Sequence, residues 1–208
     1  MESVDYYNSQ VDKMKRRTGR HDFIEKTLNS IVTRAMEVLD VGCGTGILTR
    51  AISKKGARVV GIDSAEELIK EALNLPSENI DYIWSDFIQW HSRGRKFDLI
   101  CLIDVLEHIP SDDLIPFMAK VVEVSKPKSS LYLSIPDGRF IRYMRKNDPD
   151  KLQPIDIDYD IQEIINIMKL VGYEPVHIKI YGLDTPVQYN EYIFTCIGAI
   201  TQIYKEKI

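Results

Sequence analysis

Apolar residues recur along this chain with two alternating periods. Ile24, Leu28, Ile31 and Val32 fall on one helical face, so residues 1–35 read as a helical lead-in. Glu37–Val41 follows as a short strand-like run, and then a helix from Gly46 to about Lys55, stopped by Gly56. Arg58–Ile62 predicts a second strand. Ser64 is placed to cap the next helix, with Glu67 three residues on as the reciprocal member of a capping box. That helix sets Ala65, Leu68, Ile69, Ala72 and Leu73 on one side. Ile80–Trp84, Asp98–Ile103 and Ser130–Ile135 predict the third, fourth and fifth strands. Before the fifth, a helix opening at Ser111 turns Leu114, Ile115, Met118, Val121 and Val122 inward. The stripe Ile161, Ile164, Ile165 and Met168 predicts a helix that ends at Gly172. Val176–Tyr181 and Glu191–Ile197 then read as strands joined by a polar loop containing Gly182 and Pro186. A join without a helix suits an antiparallel pair.

Strands alternating with helices predict an α/β fold around a mostly parallel sheet. The turn after the first strand carries the chemistry. Val38-Leu39-Asp40-Val41 leads into Gly42-Cys43-Gly44-Thr45-Gly46, and the second strand ends on Asp63. A strand, a glycine turn opening a helix, and a carboxylate on the next strand's tip form an adenosine-binding layout. A dinucleotide fingerprint needs glycine where Ile47 stands, which disfavours a dehydrogenase. Asp40 also opposes a diphosphate, since two like charges about 4 Å apart cost roughly 4 kcal/mol at an effective dielectric of 20. The same acid suits a ligand bearing an ammonium and a sulfonium, which is S-adenosylmethionine. Gly42, Gly44 and Gly46 allow close backbone approach, Asp63 suits the ribose hydroxyls, and Asp40 suits the methionine amino group.

Three blocks, Val38–Gly46, Val59–Asp63 with Ser64, and Phe97–Pro110, resemble the class I S-adenosylmethionine-dependent methyltransferases. The likeness is greatest to the ubiquinone-biosynthesis O-methyltransferases and other small-molecule enzymes, and with the element order it spans roughly residues 36–198. It implies a Rossmann-like sheet of seven strands, helices on both faces, and a last strand inserted between the fifth and sixth. It also implies cofactor contacts from Ser64, from Asp86 to the adenine amino group, from Phe87 over the ring, and from the backbone at Ile103. Tyr6 and Tyr7 resemble a tyrosine pair that lines the cofactor entrance, and residues 136–154 fall where related enzymes build a lid over the acceptor.

Methyl transfer from a sulfonium is mainly an alignment problem. A base is needed only when the acceptor carries a proton, and Glu107 and His108, just past the fourth strand, are the candidates. Asp156, Asp158 and Asp160 alternate as in a calcium loop, yet Ile161 and Ile167 stand where that loop needs Gly and Glu. The run therefore reads as a solvated lead-in, and no metal is expected. Ile103-Asp104-Val105-Leu106 replaces the Asn/Asp-Pro-Pro-Tyr motif of adenine-methylating enzymes. Oxygen on a small molecule is the expected target, with RNA or protein methylation, or non-catalytic cofactor binding, as alternatives.

Composition adjusts this picture only at its edges. With 208 residues, no repeat and no linker, the chain reads as one domain over 1–208. A net charge of −4 argues against nucleic acid as a partner. Two basic runs remain: Lys13, Lys15, Arg16, Arg17 and Arg20, then Arg139, Arg142, Arg145 and Lys146, the second hinting at an acidic acceptor. Cys43, Cys101 and Cys196 form no CxxC pair and read as reduced packing residues. Met1–Asp5 lacks a signal pattern, and the longest near-apolar run, Tyr192–Ile200, is too short to span a bilayer, so a cytoplasmic location is expected.

Overall fold

A computed structural model describes residues 2–197, so the end of the Tyr192–Ile200 run lies outside the described residues. Seven strands form one sheet: β1 Glu37–Val41, β2 Arg58–Asp63, β3 Ile80–Trp84, β4 Phe97–Ile103, β5 Ser125–Pro136, β6 Tyr173–Tyr181 and β7 Tyr189–Cys196. Their order is β3-β2-β1-β4-β5-β7-β6. The strands β1 to β5 run parallel, and β7 lies antiparallel to both β5 and β6, inserted between them as expected. The chain winds outward from β1 to β3, then crosses to β4 on the other side of β1. That reversal opens a crevice at the carboxyl ends of β1 and β4.

The helices are α1 Glu2–Ser9, α2 Val11–Met14, α3 Gly19–Ile31, α4 Ile47–Ser53, α5 Glu66–Leu73, α6 Leu114–Val124, α7 Gly138–Asn147 and α8 Ile161–Leu170. Successive strand residues point to opposite faces, and the two cores follow this parity. On one face Leu39, Val41, Ile100, Leu102, Leu131 and Leu133 meet Phe117, Met118 and Val121 of α6 and Ile164 and Met168 of α8. On the other, Val38, Val59, Leu99, Cys101 and Tyr132 meet Ile24 and Leu28 of α3 and Leu48 and Ile52 of α4. Asp40 shares the parity of Val38, so its carboxylate points toward α4. All three cysteines are free thiols.

Some local expectations are corrected. The helix α6 begins at Leu114 rather than Ser111 and buries Phe117, Met118, Val121 and Val124, while Ile115 is 80% exposed and Val122 39%. This helix is apolar nearly all round, so periodicity cannot choose its inward face. Leu73, on the last turn of α5, is 62% exposed. The Ser64–Glu67 capping box does not form. Ala65 takes the cap position and donates its N–H to Asp63 Oδ1 at 2.9 Å, while the Glu67 N–H turns to Asn8 Oδ1 at 3.1 Å. The N–H that the serine hydroxyl would have accepted in a capping box is thus taken by Asn8 of the N-terminal helix. The strand β5 starts five residues earlier than expected, through the polar stretch Ser125–Ser129. Among the described residues no helix is long and apolar enough to cross a membrane.

Candidate active site

The crevice divides into two connected compartments. The larger, about 340 Å³, is lined by Ile62, Asp63, Ser64, Asp86, Phe87 and Val105 among others. The smaller, about 240 Å³, is lined by Tyr6, Asp40, the Gly42–Thr45 turn, Ile103, His21 and Gln153 among others. Tyr7, Met14, Gly42, Asp104 and His108 border both, so the two meet there. The N-terminal helices form the roof: Thr45 Oγ1 donates to the Met14 carbonyl at 3.1 Å, and Asn8 holds the start of α5.

The glycine turn is held in the left-handed region, with φ of +69° at Gly42 and +77° at Gly46. A Cβ on Gly46 would collide with the Tyr82 hydroxyl, and one on Gly42 with Val105. Only glycine satisfies both backbone and space there. Asp63 ties this turn to β2: Oδ2 accepts the Gly44 N–H at 2.8 Å and Oδ1 accepts the Ala65 N–H. Burial raises its pKa, against the pull of these backbone bonds. Each oxygen keeps lone-pair capacity for a ligand hydroxyl.

Asp40 lies deeper, 3% exposed, with Oδ2 accepting the Thr49 hydroxyl at 2.6 Å. Burial pushes its pKa up to about 7; the Thr49 bond opposes this and the nearby Asp63 charge adds to it. Asp86 is exposed at the rim, its Oδ1 accepting the Gln89 N–H at 3.1 Å. Phe87 is buried in an aromatic cluster, with ring centroids 5.1 Å from Phe117 and 6.5 Å from Trp90. Ile103 is half-buried on the smaller compartment, and Tyr6 and Tyr7 both border it.

The two base candidates separate. His108 borders both compartments, its ring 6.0 Å from that of Tyr7. Glu107 borders neither: it is 1% exposed, its carboxyl oxygens have no hydrogen-bond partner among the described residues, and burial drives its pKa well above the ordinary carboxylate value. A carboxyl held beneath the floor and bordering neither compartment does not reach an acceptor proton, which corrects the expectation of Glu107 as a base.

Sequence reading missed Asp104 and Arg20. Asp104 adopts φ +53°, its N–H donating to the Ser134 carbonyl at 2.8 Å. Arg20 of α3 forms a two-pronged ion pair with it, donates to the Tyr181 hydroxyl at 2.6 Å, and stacks 3.6 Å from the Tyr189 ring centroid. The partners are 84 residues apart, and no local pattern announces the pair. The second basic run is also reassigned. Arg139 pairs with Asp137, Arg142 with Asp158 and Asp160, and Arg145 with Asp158. Arg139, Arg142 and Arg145 are thus each paired with an aspartate of the chain itself, so the hint of an acidic acceptor there is withdrawn.

Asp40, Asp63 and Asp104 leave the crevice floor rich in carboxylates, with Arg20 opposing only the last. Such a floor repels a pyrophosphate and suits a cationic nucleoside. With Asp40 and Asp63 on the floor and Asp86 and Phe87 along the larger compartment, the chemistry of the lining fits S-adenosylmethionine.

Fold and crevice together define a class I methyltransferase fold. The chain belongs to the methyltransferase-domain family, whose model matches residues 14–178. It is 35% identical over 133 residues to the ubiquinone biosynthesis O-methyltransferase of Actinobacillus pleuropneumoniae serotype 5b, covering 60% of this chain and 55% of that protein. It is 33% identical over 117 residues to the corresponding Coxiella burnetii protein, covering 55% and 49%. The chain thus spans about half the length of the curated relatives it matches. Among solved structures, magnesium protoporphyrin IX methyltransferase from Synechocystis PCC 6803, with bound SAH, superposes with a TM-score of 0.72 at 18% identity, covering 93% of this chain and 97% of that one. A methyltransferase from Methanosarcina mazei gives 0.72 at 18%, covering 82% and 97%.

Proposed function

We propose that this chain transfers the methyl group of S-adenosylmethionine to an oxygen of a small-molecule acceptor. The observation that carries this reading is the position of His108, at the junction of the two compartments, where a reacting hydroxyl would meet the cofactor. The relatives named ubiquinone biosynthesis O-methyltransferases support oxygen as the acceptor atom.

When bound, S-adenosylmethionine supplies a methyl group already activated on sulfur, with a neutral thioether as leaving group. The chain's own residues bind and align. Asp63 accepts from the ribose hydroxyls, Asp86 and Phe87 hold the adenine, and Asp40 receives the ammonium. In the smaller compartment Asp40 and the glycine turn take the methionine end of the cofactor, while Tyr6, Gln10, His21 and Gln153 line the wall that the acceptor faces. Such positioning is worth about 7–11 kcal/mol of barrier. His108 takes the acceptor's hydroxyl proton, a contribution of about 10²–10⁴ in rate.

The test is incubation with methyl-labelled cofactor and a fractionated cell extract. Label is expected in a small molecule as an O-methyl group, with transfer by His108→Ala reduced about 10²–10⁴-fold. Label confined to RNA or protein, or native turnover by the variant, overturns the reading.

A further inference from the structure

The imidazole of His108 is gripped from one side by the segment 153–160, the aspartate-rich stretch whose spacing resembled a metal loop. Nδ1 lies 2.5 Å from the Ile155 carbonyl oxygen and 3.4 Å from Oδ1 of Asp156. A carbonyl oxygen only accepts, so Nδ1 carries the proton. A neutral imidazole has a single N–H, which leaves Nε2 with its lone pair. Glu107 does not compete for that lone pair: its nearest carboxyl oxygen is 3.8 Å away, beyond hydrogen-bond range.

Asp156 is itself fixed. Its side chain is 6% exposed, and Oδ2 accepts the Gln153 N–H at 2.7 Å. The next residue, Ile157, donates its N–H to the Glu107 carbonyl at 2.9 Å, one residue from the histidine. From the far side Arg145 donates to the Asp156 carbonyl at 2.7 Å and to Asp158 at 2.8 Å, while Arg142 holds Asp158 and Asp160. Ion pairs from α7 therefore brace a turn whose inner edge carries both partners of Nδ1.

We propose that Asp156 is a positioning residue for His108, fixing with the Ile155 carbonyl the Nδ1–H tautomer and facing the imidazolium formed on proton capture. The inference rests on His108 as the base of the proposed reaction. In that step the acceptor O–H bond breaks as Nε2–H forms. The O–CH₃ bond forms as S–CH₃ breaks, and its electron pair stays on sulfur. Positive charge thus passes from sulfur to the imidazole, where the Asp156 carboxylate stabilises it. A carboxylate behind the proton-accepting ring is a general means of orienting a histidine base.

The test begins with a readout independent of turnover. Two-bond ¹H–¹⁵N correlation spectra of the full chain with ¹⁵N-labelled histidine are recorded at about pH 9, above the ordinary histidine range. His108→Gln identifies the signals. The native ring is expected to be protonated on Nδ1, and Asp156→Ala to raise the Nε2–H share at least about fivefold. Asp156→Asn is expected to slow label transfer into the extract about tenfold, with KM for S-adenosylmethionine within about twofold. A native proton on Nε2, or an Asp156→Ala tautomer ratio equal to the native one, overturns the inference. If Asp156→Ala does not fold, the native tautomer and the rate of Asp156→Asn decide. Native-rate transfer by His108→Gln alongside an Nδ1–H tautomer sinks the base reading while leaving the positioning geometry intact.

Discussion

Asp40→Asn separates a ligand-binding acid from a core acid. Asp40 has one bond, from Thr49, and burial lifts its pKa from 3.8 to about 7. Because the folded value lies above the unfolded one, the stability Asp40 contributes is complete below about pH 4 and is lost as pH rises through about 7. Ionising it in the folded protein therefore costs about 4 kcal/mol at about pH 8. Asparagine stays neutral and still accepts from Thr49. The variant is expected to be more stable than native by up to about that amount at pH 8, and little different near pH 4, by urea denaturation. Cofactor binding moves the opposite way. An ammonium draws the proton off Asp40, so native affinity is expected to fall about tenfold between about pH 8 and about pH 6. The variant loses a bond to a charged acceptor worth roughly 1.5–3 kcal/mol, so it binds about ten- to hundredfold more weakly. Calorimetry with S-adenosylhomocysteine across that pH range, in two buffers of different ionisation enthalpy, reads both affinity and proton release. His21 and His108 border the same crevice, so the difference between native and variant isolates the share of Asp40. Native affinity without pH dependence, or unchanged affinity in the variant, would leave Asp40 as a core acid bonded to Thr49 and nothing more.

Four other substitutions probe the crevice. Asp63→Ala removes the ribose acceptor and the bonds to Gly44 and Ala65, and is expected to weaken S-adenosylhomocysteine binding at least about tenfold by calorimetry. Gly46→Ala places a Cβ against the Tyr82 hydroxyl at a left-handed φ, a cost of about 1–2 kcal/mol before the collision, and is expected to lower Tm by at least about 4 °C. Arg20→Leu removes both prongs of the Asp104 pair and the bond to the Tyr181 hydroxyl, with an expected loss of about 3 kcal/mol in chemical denaturation. Glu107→Gln mimics the protonated acid. Its stability is expected to match native below about pH 4 and to exceed it increasingly as pH rises, since the unfolded carboxyl ionises from there upward while the buried acid, its pKa raised, resists doing so.

Wherever the information was local, the amino-acid sequence alone determined the outcome. Strand and helix alternation, the glycine turn, and Asp63 at the tip of β2 depend on residues within a few positions of one another, through backbone conformation and apolar period. They sufficed for the sheet and the floor of the crevice. The family resemblance added the inserted β7, which periodicity does not encode. What escaped were contacts between distant segments. Arg20 looked like one cation in a surface run until α3 brought it to Asp104. The arginines of α7 suggested an acidic ligand and the aspartates of 156–160 a solvated lead-in, until Arg142 and Arg145 proved to pair with Asp158 and Asp160. Glu107 and His108 are adjacent in sequence, yet packing placed one under the floor and the other at the junction. At the start of α5 the short-range pattern named Ser64 as the cap, whereas the Glu67 N–H went to Asn8, 59 residues away. A charged side chain's role is set by which opposite charge and how much water surround it, and both are decided only when remote segments pack.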